Sequence, residues 1–347
     1  MSGLTVRRGT LLLEGKPCQL LGVNYFDAFL RHLLDEKNTS FDAGFAELGR
    51  RKIPFARLNG GGFWPVDWKL WQADPKAYFV RFERVVASAQ KHQVGLIPSL
   101  CWNVSTFPDL VGEPCNQWGN PKSATHAFMR RYVHDVVGRY AAHPIIWGWE
   151  FGNEVNLPAD LPNAAEHRPQ VAPDRGTPAT RSQRDELTHT EIRTAIAAFG
   201  REVRRYDKTR AIFSGNSIPR ASAWHQQAER TWTKDTPEQL QQMLRGDNPD
   251  PLETLTVHAY EPGDWERLPH ALVASRAAQK PLCVGEFGAP GPRTPESERY
   301  FSEQLAALKR HKVPLAALWV YDFASQPEWS VGPTSDRAWQ LEGISHL

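Results

Sequence analysis

Long hydrophobic runs are missing from this 347-residue chain. No apolar stretch approaches the ~18 residues that a membrane-spanning helix needs. Near the N-terminus only the three leucines at 11–13 stand together, too few for the apolar part of a secretory signal. We therefore expect no membrane partner. The protein as written is expected to be cytoplasmic, and a removed signal segment would instead make it secreted or periplasmic.

An excess of charge of one sign is also missing. The 41 lysines and arginines are offset by 39 aspartates and glutamates, which leaves a net charge of +2. Proteins that bind polyanions through bulk charge carry a much larger positive excess. The balance therefore predicts no nucleic-acid partner.

Cysteine is scarce, and its spacing fits no metal-binding pattern. The four residues are Cys18, Cys101, Cys115 and Cys283, with no C-x-x-C pair among them. A zinc ribbon would need such pairs. We expect mostly buried free thiols, with a bridge between Cys101 and Cys115 as the alternative in an oxidising compartment.

What the chain does contain is an alternation of short apolar runs with amphipathic stretches. The composition, 41% hydrophobic and 23% charged, is ample for a sizeable core. The 13 tryptophans fit either core packing or flat platforms that stack on sugar rings or bases. Short apolar runs predict buried parallel strands. Eight are found, at 19–24 (QLLGVN), 54–59 (PFARLN), 94–100 (VGLIPSL), 145–150 (IIWGWE), 210–215 (RAIFSG), 254–258 (TLTVH), 281–286 (PLCVGE) and 315–321 (LAALWVY).

Helical periodicity separates these runs and sets the predicted fold. Eight strands interleaved with helices predict a (β/α)8 barrel, a TIM barrel, formed as one domain by residues 1–347. An open doubly wound sheet is the alternative, but the glycine-rich loop that usually follows its first strand is missing. Residues 4–13 are expected to form a hairpin under the barrel. Four helices are predicted, at 76–92, 125–140, 190–206 and 295–310.

Two connections are unusually long. Residues 157–185 follow the fourth strand and are rich in Pro, Ala, Arg and Asp, and residues 224–248 follow the fifth. Long loops without regular structure are usually functional or disordered. Because both leave the carboxyl ends of strands, we expect site-shaping loops, with plain surface excursions as the alternative.

Two glutamates stand at strand ends, where (β/α)8 barrels place their catalytic groups. Glu154 follows the fourth strand and Glu286 ends the seventh, so the two face each other across the barrel mouth. Glycoside hydrolysis needs such a pair, with one carboxyl protonated and the other ionised. At ~5 Å apart the ionised one attacks the sugar directly and the anomeric configuration is retained.

Other strand-end side chains suit this chemistry. Arg57 is expected to keep Glu286 ionised, and Tyr260 to donate a hydrogen bond to the same carboxylate. Asn153 is expected to bond the 2-hydroxyl of the sugar, and Trp319 to support the reacting ring.

Further binding candidates are Asn59, Trp102, Asn216 and His258. Core packing is the alternative for Trp102, a turn for Asn216, and bonding to neighbours in the core for His258. Glu150 is expected to point into the barrel with an arginine or histidine partner, since an unpaired buried carboxylate is costly.

In this order, the motifs resemble the cellulase-like glycoside hydrolase family 5 of retaining β-glycosidases. The matching residues are Arg57, EFGNE at 150–154, His258-x-Tyr260, VGEFG at 284–288 and Trp319. The resemblance extends from about residue 22 to residue 322. It implies that Glu154 is the acid/base, that Glu286 is the nucleophile, and that no metal or other cofactor is needed. The chain departs from the family pattern at Val155, where proline is common, and at Trp102-Asn103, where histidine is common.

The resulting expectation is a retaining hydrolase of β-linked, gluco- or manno-configured oligo- or polysaccharides, with β-1,4 linkages favoured and a monomer expected. A transglycosylase that uses the same residues and a catalytically silent carbohydrate-binding barrel are the alternatives. A metal-dependent hydrolase is disfavoured, because no H-x-H cluster stands at a strand end.

Overall fold

The computed structural model describes residues 3–345 and contains two sheets. Three short antiparallel strands come first, namely β1 (Leu4–Arg7), β2 (Thr10–Leu13) and β3 (Lys16–Pro17). The eight-stranded sheet consists of β4 (Leu20–Asn24), β5 (Phe55–Asn59), β6 (Gly95–Ser99), β7 (Gly148–Glu150), β8 (Ala211–Phe213), β9 (Leu255–His258), β10 (Leu282–Phe287) and β11 (Leu315–Leu318).

Helices follow the strands and cover the outside of the sheet. The α-helices are α1 (Leu30–Leu34), α2 (Ser40–Arg50), α3 (Lys69–Ala73), α4 (Pro75–Lys91), α5 (Thr106–Val111), α6 (Ala124–Tyr140), α7 (His189–Tyr206), α8 (Ala223–Glu229), α9 (Pro237–Asp247), α10 (Pro262–Ala278), α11 (Pro295–Arg310) and α12 (Ala338–Ser345). Short 3-10 turns lie at Pro65–Trp68, Cys115–Gly119, Ala164–His167, Pro173–Arg175 and Gln183–Asp185.

The eight strands are all parallel and close into a barrel. Their order is β8-β7-β6-β5-β4-β11-β10-β9, so the first and last barrel strands in the chain are neighbours. Side-chain and loop contacts join the remaining seam, where Thr254 Oγ1 donates to the carbonyl of Ile212 at 2.8 Å. The predicted (β/α)8 barrel is confirmed, and the open doubly wound sheet is excluded because its edges would not meet.

Each predicted strand corresponds to one barrel strand, and the four predicted helices correspond to α4, α6, α7 and α11. In α7 the reason is visible, since Thr188 caps the first turn and Ile192, Ile196 and Val203 bury one face. Helix α10 had no sequence prediction, because Pro269 lies inside it and its apolar residues show little periodicity.

The prediction of a long loop after the fifth barrel strand was wrong. Residues 224–248 mostly form α8 and α9. Thr236 accepts a hydrogen bond from the Gln239 backbone, Pro237 occupies the first helical position, and Leu240 and Leu244 are buried. These local signals favour a helix, so the segment provides the helices that a (β/α)8 barrel has after its fifth strand.

All four cysteines are free thiols, so the alternative bridge between Cys101 and Cys115 does not form. Burial raises the pKa of the Cys101 thiol well above its usual value, which keeps it protonated and unreactive. In the described part of the chain, no helix has the length and apolar character needed to cross a membrane.

The predicted hairpin at 4–13 lies across the amino-terminal end of the barrel. Leu4 and Leu11 pack with Phe55, Ile97 and other inward-facing strand residues in a separate apolar cluster. The Leu4 backbone N–H also donates to the carbonyl of Trp147 at 2.7 Å. The hairpin therefore closes the barrel from below and keeps water out of its interior.

Truncation of a buried side chain in this hairpin tests the contribution of the hairpin to stability. Leu11 is buried, so Leu11→Ala is expected to lower the free energy of unfolding by about 2–4 kcal/mol, from lost burial and the cavity left behind. Urea unfolding followed by fluorescence measures the change. Thr10→Ala, at an exposed position of the same strand, is the control and should change stability by no more than about 0.5 kcal/mol. Equal effects of the two substitutions would contradict the stabilising role of the hairpin.

Candidate functional site

A buried arginine organises the carboxyl end of the barrel. Arg57, on β5, donates from Nε to Glu150 at 2.7 Å and from Nη1 to Glu286 at 2.6 Å. The same guanidinium donates to Asn24 and Asn153, each at 2.9 Å. The expected pairing of Arg57 with Glu286 is present, and Glu150 has the arginine partner it was expected to need. One cation thus compensates two buried carboxylates.

An irregularity in β10 turns Glu286 into the barrel mouth. Cys283 faces the barrel interior, and Phe287 faces outward and stacks on Phe301 of α11. The register of β10 with both neighbouring strands shifts between Val284 and Glu286 or Phe287. Such a shift interrupts the strict alternation of side chains, which is a common device beside active sites.

Glu154 occupies a strained backbone position. Its φ is +51°, in the left-handed region that non-glycine residues seldom adopt. Its N–H donates to the carbonyl of Gly215 at 2.8 Å, and a Cβ on Gly215 would collide with the carbonyl oxygen of Gly152. Glycine at 215 is therefore required for the β7 and β8 loops to meet. Strain of this kind concentrates at functional sites.

The two glutamates are close, and His258 lies between them. Carboxylate oxygens of Glu154 and Glu286 and Nδ1 of His258 all lie within 4.8 Å of one another. His258 Nδ1 is 3.1 Å from Glu154 and 3.4 Å from Glu286. Burial lowers the pKa of His258 to about 3, so the imidazole is neutral near pH 7. A neutral imidazole forms no ion pair with either carboxylate, and its Nδ1 is hydrogen-bonded to Glu154 Oε1 at 3.1 Å.

The environments of the two carboxyls differ. Burial raises the pKa of both Glu154 and Glu286. Glu286 has strong opposing contacts, because Arg57 and the Tyr260 hydroxyl, at 2.5 Å, each favour its ionised form. Glu154 makes no such direct contact with a cation in the described chain, and 29% of its side chain is exposed. The contacts of Glu286 thus favour its ionised form, whereas Glu154 lacks a contacting cation that would oppose the effect of burial.

Asn153 and the aromatic residues complete the walls. Because Asn153 Oδ1 accepts from Arg57, its Nδ2 is the group left to donate into the cleft. The Trp102 ring lies over the Arg57 guanidinium, with 4.4 Å from Cζ to the ring centroid. Trp102 stacks on Trp319 at 6.2 Å, and Trp319 is fixed by a hydrogen bond to Gln326.

Two of the predicted binding residues lie below the cleft. Asn59 and Asn216 are fully buried and line neither of its parts. Asn59 accepts from the Gly61 N–H, and Asn216 donates to the Asp247 carbonyl at 2.8 Å. Asn59 therefore shapes a turn beneath the site, and Asn216 ties the loop after β8 to the end of α9.

Sequence reasoning missed several contributors. Asn24 ends the first barrel strand and accepts from Arg57, so the strand-end rule used for the other strands applied to it as well. Trp329 packs on Tyr260 from an irregular segment after β11 that carried no strand or helix signal. The Tyr300 hydroxyl donates to the Tyr260 carbonyl from α11, a contact that only the packing reveals.

The cleft has two lobes that meet at Glu154. The larger lobe, about 560 Å³, contains Glu286, Tyr260 and Trp319 together with further aromatic, aliphatic and polar residues. The smaller lobe, about 310 Å³, contains Glu154 but not Glu286. The lobes share Phe63, Trp64, Trp102, Asn153 and Glu154.

The long segment after β7 lies against this cleft. Ala164, His167 and Gln170 line the smaller lobe, and Arg175 reaches the larger one. The segment is tied to α5 by two hydrogen bonds from Arg181 to Asp109, at 2.6 and 2.8 Å. It is therefore a folded wall of the site.

The charges around the two glutamates bear on whether the site could hold a metal ion. In the range 3–345, one group of His, Cys, Asp or Glu side chains is close enough to hold an ion, namely Glu154, His258 and Glu286. The Arg57 guanidinium already lies 2.6 Å from Glu286 and repels a second cation. The charge arrangement therefore disfavours a metal centre.

Removal of the central cation tests the organisation of the site. Arg57→Ala leaves Glu150 and Glu286 buried without their partner, so the free energy of unfolding at pH 7 is expected to fall by about 3–5 kcal/mol. Urea unfolding provides the measurement. The control is Arg84→Ala, which removes an exposed pair with Glu36 and should cost no more than about 1 kcal/mol. A similar small loss for Arg57→Ala would show that the carboxylates do not depend on it.

Comparisons with known proteins support the fold. No protein-family model and no curated protein matches the sequence. Solved structures do match. An endo-1,4-β-mannanase from Rhizomucor miehei is 14% identical, with 99% of this chain and 98% of that chain covered and a TM-score of 0.71. A glycoside hydrolase family 5 mannosidase from the same organism is 11% identical, with 99% and 97% covered and a TM-score of 0.67.

A third match is the catalytic domain of a Thermobifida fusca endoglucanase in complex with cellotetraose. It is 13% identical, with 98% of this chain and 96% of that chain covered and a TM-score of 0.61. At such identities the likeness concerns the fold. The chain therefore has the cellulase-like (β/α)8 fold of glycoside hydrolase family 5 mannanases and endoglucanases along nearly its whole length.

Proposed function

We propose that the protein is a retaining β-glycosidase. The observation that carries the proposal is the short separation of the two carboxyls, whose nearest oxygens lie within 4.8 Å. Retaining enzymes hold their carboxyl groups about 5–5.5 Å apart, whereas inverting enzymes leave about 6.5–9.5 Å for a water molecule. The spacing favours direct attack by one carboxylate on the sugar.

Glu286 is the nucleophile in this proposal. Its oxygen attacks the anomeric carbon and forms a glycosyl ester, while the bond to the leaving oxygen breaks. Arg57 and Tyr260 support this role, because both contacts favour the ionised carboxylate. Both donors are set by the fold before substrate arrives, so no reorganisation is needed when the charge is used.

Glu154 is the acid/base. Burial raises its pKa, which favours the protonated form that donates to the departing oxygen. After the leaving group departs, the resulting carboxylate takes a proton from water, whose oxygen attacks the anomeric carbon and releases Glu286. The hydrogen bond between His258 Nδ1 and Glu154, at 3.1 Å, orients the carboxyl in both steps.

The substrate is proposed to be a β-linked, gluco- or manno-configured oligo- or polysaccharide, with β-1,4 linkages favoured. Trp319 and Trp102 supply flat apolar surfaces for sugar rings. Asn153 Nδ2 is placed to donate to the 2-hydroxyl, an interaction that strengthens in the transition state. Two of the matching structures, an endo-1,4-β-mannanase and an endoglucanase, agree with these two sugar configurations.

Product stereochemistry tests the proposal. Aryl β-glycosides and β-1,4-linked gluco-, manno- and xylo-oligosaccharides are hydrolysed while NMR follows the first-formed anomer. The expected first product is the β anomer, from one of these sugar series. Glu154→Ala is expected to lower kcat by about 10²–10⁴ on substrates with poor leaving groups, since it removes acid catalysis. An α first product would require different roles for the glutamates.

Azide separates the two roles and serves as the control for these variants. In Glu154→Ala, azide attacks the glycosyl-enzyme and should give a β-glycosyl azide. In Glu286→Ala, azide takes the place of the missing carboxylate and should give an α-glycosyl azide. The opposite products would exchange the assignments, and full activity of Glu286→Ala would contradict the mechanism.

The pH profile is expected to respond to Tyr260. Activity should fall at low pH as Glu286 becomes protonated and at high pH as Glu154 loses its proton. Tyr260→Phe removes a hydrogen bond that lowers the pKa of Glu286. The acid limb of kcat/KM should therefore move to higher pH, with the alkaline limb unchanged. Tyr206→Phe is the control, because the Tyr206 hydroxyl donates to Glu202 within α7 and the residue lines neither lobe of the cleft; it should leave both limbs in place.

A further inference from the structure

The two lobes of the cleft are unequal, and the difference bears on the substrate. The larger lobe has about 560 Å³ and the smaller about 310 Å³. Binding pockets for small molecules span about 300–1,000 Å³, so the smaller lobe is at the lower limit of this range. Its volume suits a compact group.

The proposed mechanism determines which part of the substrate each lobe binds. The ring that Glu286 attacks must contact Glu286 and Trp319, and both belong to the larger lobe. The leaving oxygen receives its proton from Glu154, which the smaller lobe shares without Glu286. The group that departs therefore occupies the smaller lobe.

Residues 155–187 build most of the smaller lobe. Ala164, His167 and Gln170 line it as the segment leaves β7, and Asp185 and Leu187 line it as the chain returns towards α7. The His167 and Gln170 side chains supply polar groups that suit sugar hydroxyls.

The same segment closes against the loop after β5. A turn at residues 172–177 is held by a hydrogen bond from the Ala172 N–H to Thr177 Oγ1 at 2.7 Å. Within it, Gly176 has φ +89°, and a Cβ there would lie 3.0 Å from Pro65 Cβ. The segment thus starts at β7, passes the loop after β6 and packs on the loop after β5.

Two ion pairs anchor this wall, and one of them is buried. The side chains of Arg181 and Asp109 are 3% and 0% exposed and form a bidentate pair. The Arg168 guanidinium is paired with Glu186 on the returning part of the segment. The wall is therefore held at its two ends and at its turn, so it does not yield easily to a longer leaving group.

We propose that residues 155–187 restrict the leaving group to one sugar unit, so that the protein releases single residues from the reducing end of short β-linked oligosaccharides. This inference rests on the proposed glycosidase function and adds the length of the leaving group to it. Interior cleavage of long polymers is disfavoured, because their leaving group would have to pass the wall.

Cleavage of a pentasaccharide in H2¹⁸O tests the proposal. The unlabelled pentasaccharide of the hydrolysed sugar series is used, and mass spectrometry of the first products locates the label. Release of one unit places ¹⁸O at the new reducing end of the tetrasaccharide. Label mainly in di- and trisaccharides would overturn the proposal while the glycosidase function stands. Absence of cleavage of every oligosaccharide and aryl glycoside would overturn the proposed function itself.

A filled lobe provides the second test. Ala164→Leu places a larger side chain in the smaller lobe and so reduces the space for the leaving group. The substitution is expected to lower kcat/KM for a disaccharide by about tenfold or more. The β-glycosyl fluoride of the same sugar has a leaving group that needs little of this lobe, so its kcat/KM should be unchanged. Equal losses on both substrates would contradict the proposal.

Two further variants separate lobe size from misfolding. Val171→Leu is the matched control, because Val171 is exposed and lines neither lobe, and it should leave both substrates unaffected. Gln170→Ala removes a lining amide at an exposed position without disturbing the interior. It should weaken the disaccharide reaction and spare the fluoride, and no selective effect would count against the assignment of this lobe.

Discussion

The guanidinium of Arg57 is the interaction on which the barrel mouth depends. Two carboxylates, Glu150 and Glu286, are buried within its reach, and neither has another cation at hydrogen-bond distance in the described chain. A buried carboxylate without compensation is costly, so this arrangement constrains the neighbouring strands as well. Asn24 and Asn153 accept from the same group, which joins the ends of four strands in one network.

Around that network, the backbone departs from regular geometry where chemistry is proposed. The register shift in β10 lets Glu286 face the mouth, and the left-handed conformation of Glu154 brings its carboxyl near. A Cβ on Gly285 would lie 2.7 Å from His258 Nε2, so glycine there makes room for the imidazole. The regular barrel provides a rigid scaffold, and these local irregularities orient the functional side chains towards the cleft.

Much of this could be predicted from sequence because the signals are local. Apolar runs located the eight strands, and their carboxyl-terminal ends located Arg57, Glu154 and Glu286. The same rule wrongly placed Asn59 and Asn216 in the cleft, since it cannot tell a side chain that faces the mouth from one that closes a turn beneath it. Residues 224–248 were predicted to be a loop, but the capping residue Thr236 and Pro237 at the first helical position favour the helix α9.

By itself, the sequence determined the barrel, the two glutamates and the presence of a long segment after the fourth strand. These follow from periodicity and spacing along the chain. The separation of the carboxyls, the neutral state of His258 and the docking of residues 172–177 on the β5 loop were decided by the tertiary structure. Each depends on burial and on contacts between distant segments, which no local pattern encodes.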